Sequence, residues 1–371
     1  MTSSYNGDDR RFMQGALALA RRGLGQVWPN PAVGCVIVRD GVVVGRGWTQ
    51  PGGRPHAETE ALGRAGKAAR GATVYTTLEP CSHHGRTPPC TDALIAARVA
   101  RVAAAVDDPD PRVAGGGLAA LRGAGIAAET GLAADEAREI NLGFFTRIAH
   151  GRPMATLKLA TSLDGRIATR GGDSQWITSP PARQRAHLMR ATHDAVMVGI
   201  GTALKDDPAF TCRLPGMENR KPVRVVMDSA LRLPLESKLV RSVHAHQVWV
   251  VARGDADIHR VAALERAGVK MLRITPDAAN RPDPARAFRM LGSQGLTRVL
   301  VEGGGQLAAS LLKAGLVDRL VWFRAPIVLG GDGVPALAGM EVETLAQAFG
   351  FVRRSVSPIG PDLMESYVRA R

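Results

Sequence analysis

Pro80-Cys81-Ser82-His83-His84-Gly85-Arg86-Thr87-Pro88-Pro89-Cys90, taken with His56-Ala57-Glu58 upstream of it, decides the reading of the first half of the chain. One imidazole and two thiols can hold a zinc ion with a fourth position open, where the pKa of a water falls from about 15.7 to roughly 7. Glu58, two residues beyond the histidine, is a carboxylate that can carry protons for that water without being a ligand. Zinc deaminases carry H-x-E followed by P-C-x-x-C; here eight residues separate Cys81 from Cys90, so the second half of the pattern is stretched. His56-Ala57-Glu58 opens one apolar helical stretch and Cys90 opens another, Thr91 to Arg98, and helix starts favour thiolates and anions. An ordinary core histidine and two buried thiols would leave these joint placements unexplained. The residue types equip hydrolytic deamination.

The insert from Ser82 to Pro89 holds two histidines, an arginine, a threonine and two prolines, a stiff and basic stretch suited to a wall facing an anionic group. Asn30-Pro31 precedes the first strand; its amide could read a pyrimidine edge, although Asn-Pro also makes a plain turn. Cys35 lies inside that strand and reads as a small core residue.

A chain of 371 residues is long for one domain and suggests two, and 45% hydrophobic content allows sizeable cores. No apolar run reaches the roughly 18 residues of a spanning helix, so no membrane association is expected. Met1 to Arg10 is polar and carries no signal-peptide segment. Four cysteines, two of them in the motif, make no disulfide framework, which points to a reducing cytoplasm. The net charge of +14 opens the question of nucleic acid. Aromatic residues are only 4%, however, and the arginines are scattered rather than interleaved with stacking groups, so nucleic-acid binding is not expected.

Around the motif the elements alternate. A helix over Asp9 to Arg22 precedes two β-rich runs, Val33 to Val38 and Val42 to Gly47, joined by the hairpin signal Asp40-Gly41. The helix from His56 to Ala65, a strand at Thr73 to Thr77, the helix from Cys90 and a strand at Arg101 to Val106 follow. Asp107 to Gly117 reads as a loop; a helix, a short strand near Ile126 to Glu129 and a helix from Ala133 to Thr146 close a domain spanning 1–150. This is a three-layer α/β pattern with strands 2 to 5 parallel after the hairpin.

From Gly151-Arg152-Pro153 the second half, 151–371, alternates again. Strands are read at Met154 to Ala160, Ala195 to Gly199, Val223 to Asp228, Gln247 to Ala252, Lys270 to Ile274 and Arg298 to Glu302. Helices are read at Pro180 to Ala191, Ile258 to Ala267 and Pro284 to Gln294, which predicts a mostly parallel sheet. Leu320 to Arg324, Phe349 to Ser357 and Asp362 to Val368 lack intervening helices and are expected as antiparallel edge strands. Val301-Glu302-Gly303-Gly304-Gly305-Gln306-Leu307 runs from a strand end through glycines into a helix over Leu307 to Ala314, a place where bare backbone can approach phosphate. It is not a G-x-G-x-x-G, and glycine runs also make ordinary tight loops.

These residues together carry a resemblance. Asn30-Pro31-x-Val33-Gly34, His56-Ala57-Glu58, the extended Pro80 to Cys90 motif, Lys158 to Gly165, Ser174-x-Trp176-Ile177, Asp206-Asp207-Pro208 and Glu302-Gly303-Gly304 are similar to the bifunctional deaminase-reductases of riboflavin biosynthesis. The resemblance runs from Asp9 to the C-terminus and explains the stretched cysteine spacing as a family feature. It implies a cytidine-deaminase-like domain followed by a dihydrofolate-reductase-like domain, with Zn2+ and NADPH as cofactors. It further implies removal of an amino group from 2,5-diamino-6-(5-phosphoribosylamino)pyrimidin-4-one, then reduction of the ribose carbon to give the ribitylamino compound.

By the same resemblance His56, Cys81 and Cys90 would hold zinc and Glu58 would shuttle protons. Asn30 and the loop carrying His83, Arg86 and Thr87 would hold the pyrimidine or its phosphate. Ala160, Trp176, Thr202, Asp206, Ser229, Gly304 and Gly305 would meet NADPH. Lys158, Ser174, Arg190, Phe210, Arg213 and Glu302 would meet the phosphorylated substrate, although Phe210 stands where relatives usually carry leucine. Arg190 and Arg213 suit a phosphate because a guanidinium is a planar, always charged fork. A homo-oligomer is expected.

Overall fold

The structure, a computed structural model, describes residues 5–85 and 87–370. The chain divides between Gly151 and Arg152 into two units.

In the first unit the order is α1 (Gly7–Ala20), β1 (Gly34–Arg39), β2 (Val42–Trp48), α2 (Ala57–Ala65), β3 (Thr73–Thr76), α3 (Cys90–Ala96), β4 (Arg101–Ala104), α4 (Gly116–Gly123), β5 (Ala127–Thr130), α5 (Ala134–Ile140) and α6 (Leu142–His150). Asp40 and Gly41, both at positive φ, close the hairpin between β1 and β2. The sheet order is β2-β1-β3-β4-β5, with β1 antiparallel to both neighbours and the others parallel. Strands 2 to 5 thus share a direction, and β1 is inserted between β2 and β3. The hairpin approaches its helices through missing side chains. A Cβ on Gly47 would lie 2.2 Å from the Ala57 carbonyl oxygen of α2, and one on Gly34 1.9 Å from the Ala16 carbonyl oxygen of α1. Met13, Leu17, Ile37, Val74 and Leu94 fill the core of this sandwich.

One expectation changes here. The continuous helix read from Ala133 to Thr146 is broken at Asn141 into α5 and α6. The Asn141 side chain is buried and tied across the fold: it accepts from the Ala32 N–H at 2.8 Å and donates to the Ala32 carbonyl at 3.0 Å. That pairing satisfies backbone groups that no strand reaches and sets where the helix turns.

The second unit runs β6 (Met154–Thr161), β7 (Arg166–Ala168), α7 (Pro180–Ala191), β8 (Ala195–Gly199), α8 (Ile200–Asp206), β9 (Val223–Met227), α9 (Lys238–Arg241), β10 (Val248–Arg253), α10 (Ile258–Arg266), β11 (Lys270–Ile274), α11 (Pro284–Ser293), β12 (Arg298–Glu302), α12 (Gly305–Lys313), β13 (Val317–Arg324), β14 (Val334–Pro335), β15 (Phe351–Ile359) and β16 (Asp362–Arg369). Nine strands pair in the order β11-β10-β9-β8-β12-β6-β13-β16-β15. The first seven are parallel, and β16 and β15 are antiparallel at the edge, as expected for Asp362 to Val368 and Phe349 to Ser357. Leu320 to Arg324, expected with them, instead lies in β13, which runs parallel to β6 inside the sheet because α12 provides the crossover before it. The central parallel strands β8, β9 and β12 are buried on both faces; all five residues of β12 are buried. Helices α8 and α9, of seven and four residues, are too short for a helical period to show in the sequence.

Candidate active sites

The first site forms where two helix starts meet the ends of β3 and β4. His56 is the N-cap of α2 and Cys90 the first residue of α3. The His56 Nδ1 atom lies 3.6 Å from Cys81 Sγ and 3.4 Å from Cys90 Sγ, and the three donor atoms all lie within 4.8 Å of one another. Backbone geometry pins Cys81 to α3: the Cys90 N–H donates to its sulfur at 3.3 Å, and the Thr91 N–H donates to its carbonyl at 3.2 Å. The Cys81 thiol is pulled down to about 4, first by its hydrogen bond with Cys90 and then, against burial, by His56. An imidazole nitrogen and an acidic thiol facing a second thiol form a donor set that fits zinc, which binds thiolate and imidazole.

Glu58, the second residue of α2, is buried, and its Oε1 accepts from the Thr76 hydroxyl at 2.9 Å. Burial pushes its carboxyl up, partly countered by the His56 charge. A carboxyl raised in this way is suited to take and return a proton. Asn30, His56, Glu58, Cys81 and His83 line one pocket of about 440 Å³. Asn30 is oriented by donating its Nδ2 to the Gly53 carbonyl at 2.7 Å. His83 carries a buried Nδ1 with no hydrogen-bond partner among the described residues. Thr87 is exposed and bonded to the Arg54 guanidinium rather than set in the lining. Arg86 lies outside the described residues.

Sequence reading missed the opposite wall: Arg54, Asp108, Asp110, Arg112 and Arg147. The available signal was the run Asp107-Asp108-Pro109-Asp110-Pro111, which follows a strand, because ligands gather beyond the carboxyl ends of parallel strands. Buried Glu79 builds this wall, accepting from the N–H groups of Asp108, Gly115 and Leu118 at 3.2, 3.0 and 3.0 Å. Burial pushes the Asp108 carboxyl up to about 6.

The second site is a cleft of about 620 Å³ at the carboxyl ends of β6, β8, β9 and β12. Lys158, Ala160, Ser174, Thr202, Asp206, Ser229, Gly304 and Gly305 all line it. Gly303 and Gly304 adopt positive φ, +92° and +87°, and Cβ atoms there would come within 3.3 Å of the Thr202 side chain. Gly304 caps α12 without a side chain, so the first-turn N–H groups of that helix have no side-chain acceptor. Bare backbone, a helix start and hydroxyls together fit the diphosphate of a nicotinamide dinucleotide.

Five of the expected residues are not in the cleft lining. Trp176 is 65% exposed, with the Arg183 guanidinium 4.7 Å from its ring centre. Arg190 is half-buried and its fork is engaged by Glu302: Nε and Nη2 donate to the carboxylate at 2.5 and 2.9 Å. Phe210 is buried 5.4 Å beneath the same guanidinium. Arg213 is exposed, and its N–H donates to His187 Nδ1 at 3.3 Å. Lys158, pushed down by burial and drawn up by Glu302, connects this charged cluster to the cleft.

Three donors that fit zinc beside a buried carboxylate, followed by a cleft that fits a dinucleotide at a parallel sheet, are the equipment of a deaminase joined to a reductase. The family of the cytidine and deoxycytidylate deaminase zinc-binding region matches residues 6–106, and the RibD C-terminal domain matches residues 153–363. The riboflavin biosynthesis protein RibD of Escherichia coli (strain K12) is 44% identical over 368 residues, covering 96% of this chain and 98% of that protein. That of Aquifex aeolicus (strain VF5) is 39% identical, covering 97% and 98%. Among solved structures, Acinetobacter baumannii RibD, form 1, superposes with a TM-score of 0.88 at 37% identity, covering 98% of this chain and 99% of that one. The chain belongs to the RibD family. It is a bifunctional enzyme of riboflavin biosynthesis, a zinc-dependent deaminase and an NADPH-dependent reductase. No helix among the described residues is long and apolar enough to cross a membrane.

Proposed function

We propose that the unit ending at Gly151 deaminates 2,5-diamino-6-(5-phosphoribosylamino)pyrimidin-4-one and that the unit from Arg152 reduces the ribosyl group of the product to ribityl. The observation that carries the first half is the meeting of His56, Cys81 and Cys90 beside buried Glu58. His56, Cys81 and Cys90 would hold the zinc, which would supply the Lewis acid that activates a water. Glu58 would take a proton from the attacking water and return it to the departing ammonia, and the Thr76 hydroxyl fixes the orientation of its carboxylate. Asn30 and His83 face the pyrimidine, and Arg86 and Thr87 are assigned to its phosphate.

In the second unit Gly304, Gly305, Thr202, Ala160, Asp206 and Ser229 receive NADPH, which supplies the hydride. Lys158 and Ser174 face the substrate from the cleft. Burial pushes Lys158 toward its neutral form and the Glu302 carboxylate opposes this, while Arg190 holds Glu302 in place. Arg213, exposed on the adjoining loop, is available to the substrate phosphate. Phe210 supports Arg190 from below. Trp176 would have to turn from its exposed position to reach either ligand.

The enzyme is a cytoplasmic homo-oligomer that does not bind nucleic acid. Four free cysteines favour a reducing compartment. The edge strand β15 offers self-association a side that pairs with no strand among the described residues, with Val352 and Val356 exposed. A coupled assay tests the function: ammonia release and NADPH oxidation are followed separately on the phosphorylated diaminopyrimidinone. Ammonia should appear without NADPH, and NADPH oxidation should require prior deamination. Oxidation of NADPH with no ammonia released would refute the order of steps.

A further inference from the structure

Four side-chain cations line the NADPH cleft, Lys158, Lys205, Arg232 and Arg281, and they differ in what already engages them. Lys158 faces Glu302, and Lys205 donates to the Gly172 carbonyl at 2.9 Å. Arg232 has no hydrogen-bond or ion-pair partner among the described residues.

The strand order says where along a dinucleotide each cation stands. β9, β8, β12 and β6 lie side by side. The glycine turn after β12 is the place for the diphosphate, and Lys158 and Ala160 end β6 next to it, on the substrate side. Ser229 and Arg232 follow β9, two strands away on the other side. At about 4.8 Å between strands, β6 and β9 are about 14 Å apart. A dinucleotide spanning that width with its hydride donor at β6 has its adenosine at β9.

The loop after β9 is built to hold an arginine outward. Asp228 is buried, and its Oδ2 accepts from the Leu233 N–H at 2.8 Å. Arg260 donates to the Leu231 carbonyl at 3.1 and 2.8 Å and to the Leu233 carbonyl at 3.1 Å. Leu231 and Leu233 are buried, at 1% and 0% exposure, so the exposed residue between them is forced toward the cleft. Arg281 comes from the loop after β11, closed by a bridge between Pro276 and Pro282. Asp277 there accepts from the N–H groups of Ala279 and Arg281 at 2.9 and 2.8 Å and is only loosely paired with the Arg281 guanidinium, at 3.9 Å.

We propose that Arg232, assisted by Arg281, binds the 2′-phosphate of NADPH and so sets the preference for NADPH over NADH. A guanidinium presents forked donors that match a phosphate, and an adenosine 2′-hydroxyl offers it no comparable charge. The inference rests on this cleft being the NADPH site.

Calorimetric titration of the full chain with NADPH and with NADH, without substrate, tests it, because the two ligands differ only in the 2′-phosphate. The wild-type chain should prefer NADPH by on the order of tenfold to a hundredfold. Arg232→Gln should remove most of that preference by weakening NADPH about tenfold or more, with NADH affinity kept within about twofold. Arg281→Gln should lose less in the same direction, and Arg232→Lys should keep part of the preference. The retained NADH affinity also reports an intact fold. Arg232→Gln with its full preference for NADPH would overturn the proposal, as would equal weakening of both ligands. A wild-type chain that binds both equally would overturn it while leaving the cleft as the cofactor site. Binding of neither would overturn the cleft assignment itself.

Discussion

Replacing Arg190 by methionine separates two roles that its position allows, partner of a buried carboxylate and ligand of the substrate phosphate. Glu302 is 6% exposed, and burial alone would push its carboxyl up. Instead it is held at about 2, below the ordinary 4.5, by the Arg190 charge and hydrogen bonds and then by Lys158 and His187. At about 1.36 kcal/mol per pH unit this depression is worth about 3 kcal/mol. Because the folded value lies below the unfolded one, the contribution is complete above pH 4.5 and fades as the pH falls through about 2. Arg190→Met removes most of it and leaves a buried carboxylate without its forked partner, a loss of about 3–5 kcal/mol. For a unit of this size the melting temperature should fall by about 6–20 °C at pH 7. Urea unfolding at pH 7 measures the loss, and Arg190→Met with Glu302→Gln should recover a large part of it. An Arg190→Met protein with an unchanged unfolding midpoint and a raised KM for the phosphorylated substrate would refute the reasoning and return Arg190 to the phosphate.

Glu58→Gln should retain zinc, measured by metal analysis, and lose about 10²–10⁴-fold in ammonia release. Undiminished release would remove Glu58 from proton transfer. Asp108→Asn tests the pocket wall: since the folded pKa of Asp108 is raised to about 6 from 3.8, the folded state loses stability as the pH rises through that window. The variant should therefore unfold at higher urea than wild type at pH 7.5 and at the same urea below pH 3.8. Gly47→Ala should destabilise the first unit and displace His56 and Glu58, since its Cβ would overlap the Ala57 carbonyl oxygen. Reduced zinc retention together with a lowered unfolding midpoint would register both effects.

The sequence shows the alternation of strands and helices well because each element carries its own period or turn signal. Asp40-Gly41 places the hairpin, and Glu302 followed by three glycines marks the end of a strand before a helix. What it hides is long-range. Insertion of β1 between β2 and β3 is a choice of neighbours that no local pattern encodes. The break at Asn141 depends on Ala32, more than a hundred positions away. The zinc ligands are legible because spacing and residue type suffice, whereas Asp108 and Arg232 sit in loops whose polar residues look ordinary until the sheet collects them. Arg190 shows another limit: its fork suits a phosphate on sequence, and only the structure shows that it also pairs with Glu302.

The tie between Asn141 and Ala32 also bears on how small a working deaminase can be cut. The deaminase zinc-binding region matches only residues 6–106, which already contain all three zinc donors and Glu58. Yet α6, beginning just after Asn141, contributes Phe144, Arg147 and Ile148 to the pocket. Asn141 itself anchors the backbone two residues beyond Asn30. A fragment ending near residue 106 would keep its metal ligands and lose both a wall of the substrate chamber and the anchor of its entrance, so the minimal catalytic piece extends through His150.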